Sequence, residues 1–312
     1  MPWKQGYTIS DEKSLVDGEL AWPAGERCAV QIVVDLSIAG DSEGITAKDL
    51  RSSRAEFGTA VGLGLVLEAL ARHNLRATFA VPALMAEIWP ERIADIVASG
   101  HEIAANGLKH EDASKLSRDD EAERICLATE MLTRIVGRRP AGWFTLPRQN
   151  DRYAAGTVSP HTVDLLLEAG YGWMGNGLAD DIPHYWVSDF ASRRAILTLP
   201  YYYHYDDQFF LLFPPQGTNL ENPDALARNW RAELDAQYRR GRYFSMTVHP
   251  HIIGWANRLQ VLDDFLAYMS SLPALWNPTG SEVAAHWAKH HPPETHLKLK
   301  PSIWKDYPGS LS

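Results

Sequence analysis

The sequence predicts an α/β fold: a parallel sheet of about seven strands with helices outside, closed into a distorted (β/α) barrel or doubly wound. Three observations carry this. Short runs of continuous apolar, β-branched residues recur along the chain, as buried parallel strands require. Each is followed by an amphipathic stretch with helix start and stop signals. The 312 residues contain no internal repeat, low-complexity tract or Gly/Ser linker, so one barrel takes up most of the length. The expected division is an N-terminal arm over 1–24, a barrel domain over 25–290 and a C-terminal arm over 291–312.

The elements follow in order. Cys28 to Val34 reads as the first strand, and a loop rich in glycine and charge runs from Asp35 to Arg54. Ala60 to Arg72 is helical, with Leu63, Val66, Leu67 and Leu70 on one face. Ala77 to Val81 is a strand stopped by Pro82; Pro90 opens a helix that ends at Gly100; Glu102 to Ala105 is a third strand. Ser117 to Asp120 resembles a capping box and starts a helix that ends at Gly137. Further strands fit Ala141 to Thr145, Tyr171 to Met174, Ala195 to Leu199 and Tyr243 to Val248. Helices are expected from Ser159-Pro160 to Gly170, Asn222-Pro223 to Gly241, Asn257 to Leu272, and Ser281 to about Lys289. The tail from Pro292 reads as an arm laid over the body or over a neighbour, which suggests a homo-oligomer.

Composition narrows the function. Lys+Arg is 30 against Asp+Glu 39, a formal charge of −9, which argues against a nucleic-acid or polybasic membrane surface. Two cysteines, Cys28 and Cys126, without a CxxC, argue against a disulfide framework or a cysteine zinc site. Met1 to Lys13 lacks an apolar core of signal-peptide length, so a cytoplasmic protein acting on a small molecule is the expectation.

In such folds chemistry sits at the carboxyl ends of the strands. Asp35 follows the first strand, Asn106 and His110 follow the third, and His249 and His251 follow the last long one. His249 stands out as a functional candidate, Asp35 reads equally well as a functional carboxylate or a turn or cap residue, and His251 reads equally well as a solvated residue. His286, His290, His291 and His296 near the tail read as an exposed face rather than a metal site. Trp143, Phe144, Trp173, Tyr201, Tyr203 and Trp255 fall near the same face and suit a flat ligand, though packing of the barrel mouth uses the same residue types.

The chain resembles the polysaccharide deacetylase superfamily (carbohydrate esterase family 4), in the branch with peptidoglycan-deacetylase-like proteins, cyclic imide hydrolases and the metal-independent allantoinase. The resemblance covers about residues 25 to 290. It rests on Val34-Asp35-Leu36-Ser37, Ala77-Thr78-Phe79, Gly100 to Ile103, Asn106 to Glu111, Gly137 to Trp143, Ser159-Pro160, Leu199-Pro200, Tyr205-Asp206-Asp207, Met246 to Pro250 and Thr279 to Glu282. It implies a distorted (β/α) barrel and hydrolysis of non-peptide C–N bonds. In metal-dependent members an Asp-x-Asp after the first strand and a His-x-x-x-His after the third supply the base and the ligands of zinc or a similar ion. Here the second aspartate is Ser37 and the first histidine is Asn106, leaving His110 as the one remaining ligand. A serine hydroxyl and an amide are poor substitutes for carboxylate and imidazole, so the expectation is no cofactor at the usual zinc position. Recruitment of Asp41, His204 or Asp206 to a rebuilt metal site stays open.

The family's base-supporting arginine is displaced, with Arg148 or Arg152 as replacements, and Arg258 survives from the motif after the final histidine. The substrate-binding set expected is Asn106, His110, Trp143, Arg148, Tyr203 and Arg258. Asp35 as base has apolar neighbours that would raise its pKa, His249 is the acid, and His110, Asn106 and backbone amides are the oxyanion donors. Without a metal, a cyclic amide, imide or ureide is easier to open than an acetamide is to hydrolyse, because the leaving nitrogen carries a second acyl group. The alternatives are a metal-dependent N-deacetylase of amino sugars in carbohydrate metabolism, or a retired enzyme that only binds a small molecule.

Overall fold

A computed structural model describes residues 15–151, 157–177, 180–189, 192–212 and 222–297. Residues 1–14 and 298–312 of the two expected arms, and Arg152, lie outside the described residues. Strands form at β1 (Cys28–Asp35), β2 (Thr78–Val81), β3 (Glu102–Ala105), β4 (Gly142–Phe144), β5 (Trp173–Gly177), β6 (His184–Asp189), β7 (Arg194–Pro200), β8 (Tyr243–Val248) and β9 (Leu275–Trp276). They join one sheet in the order β6-β7-β5-β4-β3-β2-β1-β8, with β9 beside the start of β1. All pairings are parallel except β6 with β7. The sheet is open along this path, but the chain beyond β7 returns at Asp206 to a single parallel bridge with Thr247 of β8. That contact makes the sheet a distorted barrel with an incomplete seam.

All seven expected strands form. The two strands not expected are the antiparallel β6, built from His-Tyr-Trp-Val-Ser-Asp, and the two-residue β9. The loop after β1 is more ordered than composition suggests: Thr46 and Asp49 form a capping box over Ala47–Leu50, and Ser52 caps Ser53–Phe57. The helix expected from Ala60 is instead a π turn, Gly58–Gly62, running into Leu63–Arg72. The reason is close approach. A Cβ on Gly58 would sit 2.6 Å from Cβ of His251, and one on Gly62 would sit 2.2 Å from the Pro250 carbonyl. Glycine lets this turn press against the loop that carries His249, and π turns of this sort are frequent at functional sites. Helix 162–168 starts later than Ser159 because the Ser159 and Thr162 hydroxyls both donate to buried Glu121.

The period-2 alternation of the strands sorts residues to two sides. Val30, Ile32 and Val34 of β1, Phe79, Ile103, Phe244 and Met246 face the helical layer and form the main core with Leu70, Ile96, Leu132, Trp230 and Phe265. Ala29, Val33, Ala80, Ala104, Phe144, Leu199 and Tyr243 face the lumen. Below the lumen, a polar layer closes the barrel. Glu102 accepts from Thr78 (3.0 Å), the Ser281 backbone (3.2 Å) and the Ser281 hydroxyl, and Tyr243 donates to Gln31. The helix Gly280–His290, started by a Thr279/Glu282 capping box, thus plugs the amino-terminal end.

Trp22 is buried against Trp276, His286 and Trp287, and its indole N–H donates to the Gly241 carbonyl, so the described part of the N-terminal arm packs on its own chain. The tail histidines do not form a single exposed face. His290 is exposed, but His296 is buried against Tyr185 and Trp287. Among the described residues no helix is long and apolar enough to cross a membrane.

Candidate active site

Strand parity delivers the central residues. Asp35 ends β1 on the lumen side of Val33, Asn106 follows Ala104 on the lumen side of β3, and His249 follows Thr247 on the lumen side of β8. All three are buried. Asp35 Oδ1 accepts from the Ser37 backbone N–H (2.7 Å) and Asn106 Nδ2 (3.1 Å), and Oδ2 accepts from the Ser37 hydroxyl (3.2 Å). His249 Nε2 lies 3.3 Å from Asp35 Oδ2, an ion-pair distance without hydrogen-bond alignment, so Nε2 keeps a free direction. Behind the ring, Nδ1 is 2.7 Å from Asp207 Oδ1, and the His249 backbone N–H donates to both Asp207 oxygens. Asp206 stands 3.6 Å from the same Nδ1 and accepts from the Tyr201 hydroxyl (2.7 Å) and the Gln208 N–H (2.9 Å).

These contacts set the charges. Burial alone would lower the His249 pKa, but the Asp206 and Asp207 carboxylates and the Asp207 hydrogen bond hold it well above the ordinary imidazole value. Burial alone would raise Asp35, but the His249 contact and the Ser37 amide hold it below the usual carboxylate value. The expectation that apolar neighbours raise Asp35 is therefore corrected: donors around the carboxylate outweigh desolvation. Asp206 is pushed up to about 7 by burial and by the adjacent Asp207 charge. At neutral pH the site holds an Asp35 carboxylate facing an Asp207-backed imidazolium.

The other expected residues divide. His110 is buried and takes a left-handed backbone (φ 61°) after Gly107 (φ 79°), a tight turn that brings its Nε2 to 2.6 Å from the Leu146 carbonyl. A carbonyl only accepts, so Nε2 carries the proton and Nδ1 is an acceptor. Burial lowers the His110 pKa. A neutral ring with an acceptor nitrogen does not stabilise an oxyanion, which corrects that assignment. Asn106 spends one amide N–H on Asp35 and retains the other.

Arg148 is buried but binds Asp151 (2.9 Å) and Thr157 (3.2 Å); among the described residues no arginine is bonded to Asp35. Arg258 donates to the Ile252 and Leu211 carbonyls and so braces the His249 loop. Trp143 has the opposite parity from Phe144. It lies edge-on to Tyr171 in the helix-facing core, away from Asp35, and lines the cleft that also holds Asn106 and His110. Tyr203 is 48% exposed on a 3-10 turn with its ring against His204, with no contact to Asp35 or His249. His251 is buried rather than solvated, 5.6 Å ring to ring from His249. Sequence reasoning missed Asp207 as the partner of His249; its one signal was the acidic pair Asp206-Asp207.

The residues at the usual metal position do not fit an ion. The Ser37 hydroxyl proton and the Asn106 amide nitrogen go to Asp35 and the proton-bearing nitrogen of His110 to Leu146, which leaves His110 Nδ1 as one strong donor beside the weak neutral oxygens of Ser37 and Asn106, where about three strong donors are needed. Asp206, Asp207 and His249 offer ligand atoms within 4.8 Å of one another. Their four carboxylate oxygens already accept from Tyr201, Gln208 and His249, so this triad is satisfied internally as an acid-orienting cluster.

Residues 63–171, which contain β2, β3, β4 and both Asn106 and His110, match the family model described as polysaccharide deacetylase. Over that stretch the chain is similar to polysaccharide deacetylases. A peptidoglycan deacetylase of Helicobacter pylori is 23% identical over 266 residues, covering 77% of this chain and 88% of that protein. Among solved structures, a polysaccharide deacetylase from Mycobacterium smegmatis superposes with a TM-score of 0.75 at 27% identity, covering 89% of this chain and 96% of that one. An allantoinase structure shares the fold with a TM-score of 0.74 at 24% identity, covering 87% and 93%. These similarities support a polysaccharide-deacetylase-like hydrolase of carbon–nitrogen bonds.

Proposed function

We propose that this chain opens a small cyclic amide, imide or ureide in the cytoplasm by acid–base hydrolysis, with Asp35 and His249 as catalytic residues and no metal at the Ser37–Asn106–His110 position. The observation that carries the reading is the 3.3 Å approach of His249 Nε2 to Asp35 Oδ2 with Asp207 locked on Nδ1. A protein that only binds has no use for a base and a proton donor poised on one point. The Asp35 carboxylate takes a proton from water as the water oxygen attacks the ring carbonyl. Asn106's remaining N–H is the donor to the developing oxyanion. The carbon–nitrogen bond then breaks, and nitrogen takes the proton from His249 Nε2. A proton passing from Asp35 to His249 across the same gap restores the starting state.

The leaving group favours a ring over an acetamide. The donor set offers no ion to lower the pKa of water or polarise the carbonyl, so the nitrogen must leave as a stabilised species. An imide or ureide nitrogen does so because its second carbonyl shares the charge. A protein with the same fold is an allantoinase, whereas the Helicobacter pylori relative is a peptidoglycan deacetylase. The test is a panel of hydantoin, succinimide, allantoin and dihydropyrimidines beside N-acetylglucosamine oligomers. Asp35→Asn should lower turnover of the ring substrate by about a hundredfold or more while leaving KM nearly unchanged. Deacetylation of the oligomers with every ring untouched would refute the reading.

A further inference from the structure

Next to Asn106, which bonds Asp35, a small cleft lies between the ends of β3 and β4 and the helix Arg118–Val136 that joins them. Its lining contains four buried polar atoms with no hydrogen-bond partner: Asn106 Oδ1, His110 Nδ1, Thr145 Oγ1 and Arg148 Nε. All four residues are more than nine-tenths buried. Buried polar groups are nearly always paired, and four orphans on one cleft are the outline of something that binds there. Their roles are fixed by their other contacts. Asn106 turns its amide nitrogen to Asp35, so its carbonyl oxygen is free to accept. His110 holds its proton on the Leu146 side, so Nδ1 also accepts. Arg148 presents an unused Nε–H, and Thr145 a hydroxyl. The Arg148 charge is already met by Asp151 at 2.9 Å, so an anion gains little here.

We infer that this cleft reads a neutral ureido group, taking two N–H donors on Asn106 Oδ1 and His110 Nδ1 and a carbonyl on Arg148 Nε and Thr145 Oγ1. The inference rests on the ring-opening reading and names the part of the ring that is recognised rather than cleaved. A second N–H is the discriminating feature. An acetamido group has a single N–H and would leave one buried acceptor unpaired, which is worth about ten- to a hundredfold in affinity.

Calorimetric titration of the full chain carrying His249→Gln, which blocks turnover without touching the cleft, tests this. Hydantoin should bind, and 1-methylhydantoin, 3-methylhydantoin and N-acetylglucosamine should each bind about ten- to a hundredfold more weakly. Adding Thr145→Val should weaken hydantoin about tenfold and at the same time raise the melting temperature, because it deletes an unpaired buried hydroxyl. A merely structural Thr145 would not move the two readouts in opposite directions. Methylation and Thr145→Val without effect on binding, while the wild-type chain still opens rings, overturn the cleft assignment and leave the proposed reaction standing. Hydantoin bound in the expected pattern but never opened by the wild-type chain supports the cleft and removes the reaction. Binding of no probe, as a cleft that holds only water would give, overturns the assignment.

Discussion

Replacing Asp207 by asparagine removes one negative charge from behind His249 and changes little else in shape. The carboxylate lies 2.7 Å from Nδ1 and takes the His249 backbone N–H on both oxygens, all fully buried. Two unit charges about 4 Å apart at an effective dielectric near 20 interact by about 4 kcal/mol, which bounds the loss at about 3 pKa units. Asp206 moderates it: at 3.6 Å it remains, and with Asp207 neutral it ionises more readily than its present value of about 7 allows. The net fall in the His249 pKa should be about 1–2 units, each worth 1.36 kcal/mol. With His249 as the proposed acid, activity is present below its pKa and lost as pH rises through it. In Asp207→Asn the alkaline limb of kcat/KM should therefore move down by about 1–2 units, with a loss of about ten- to a hundredfold on the alkaline side. The acid limb, set by Asp35, should stay in place. Rates from pH 5 to 10 on an opened ring read this, and the nitrogen-15 shifts of the His249 ring read it without any substrate. An alkaline limb that does not move, with the same loss at every pH, would refute the role given to Asp207.

Two further predictions concern groups away from this contact. The double substitution Ser37→Asp with Asn106→His should convert a chain with no stoichiometric zinc at that position into one that holds about one ion; metal analysis after dialysis decides, and equal zinc in both proteins would count against the loss of ligands as the reason. Glu102→Gln should flatten the pH dependence of stability. Burial raises the Glu102 pKa above 4.5, so its contribution is present below that value and lost as pH rises through the raised one, and glutamine mimics the protonated acid; the melting temperature should fall less between pH 5 and pH 8 than in the parent.

Much of this arrangement was legible in the sequence, for identifiable reasons. Strands buried on both faces must be apolar throughout, so β1, β2, β3, β7 and β8 announced themselves, and the polar residues that follow them marked the active end. The edge strand β6 was not legible because its polar and aromatic residues carry no buried-strand signature, and β9 is too short to show a period. Parity separated Phe144 from Trp143 in principle: Trp143 pairs with Ala105, an outward residue of β3, and so had to face the helices. Composition near the strand end suggested the opposite. Asp207 was hidden because its reach to His249 depends on the return of the chain at Asp206 to β8, a contact between residues about 40 apart that no local pattern encodes.

The electrostatics explain how the Ser37 and Asn106 replacements are tolerated around a fully buried aspartate. An isolated carboxylate at the Asp35 position would be driven to protonate. A divalent ion held by a carboxylate and two imidazoles, as the family pattern implies, would present a net positive charge to that aspartate. With serine and asparagine in place, the ion's partners are gone, and so is the carboxylate that would otherwise add to the negative charge. One positive group facing Asp35 is then enough, and His249 supplies it, because Asp206 and Asp207 keep its ring protonated. The two replacements also turn former ligand positions inward, as two hydrogen bonds on the base. Asp206 and Asp207 thus keep the imidazolium protonated, and the imidazolium keeps Asp35 ionised, which is the state that the proposed hydrolysis requires at the outset.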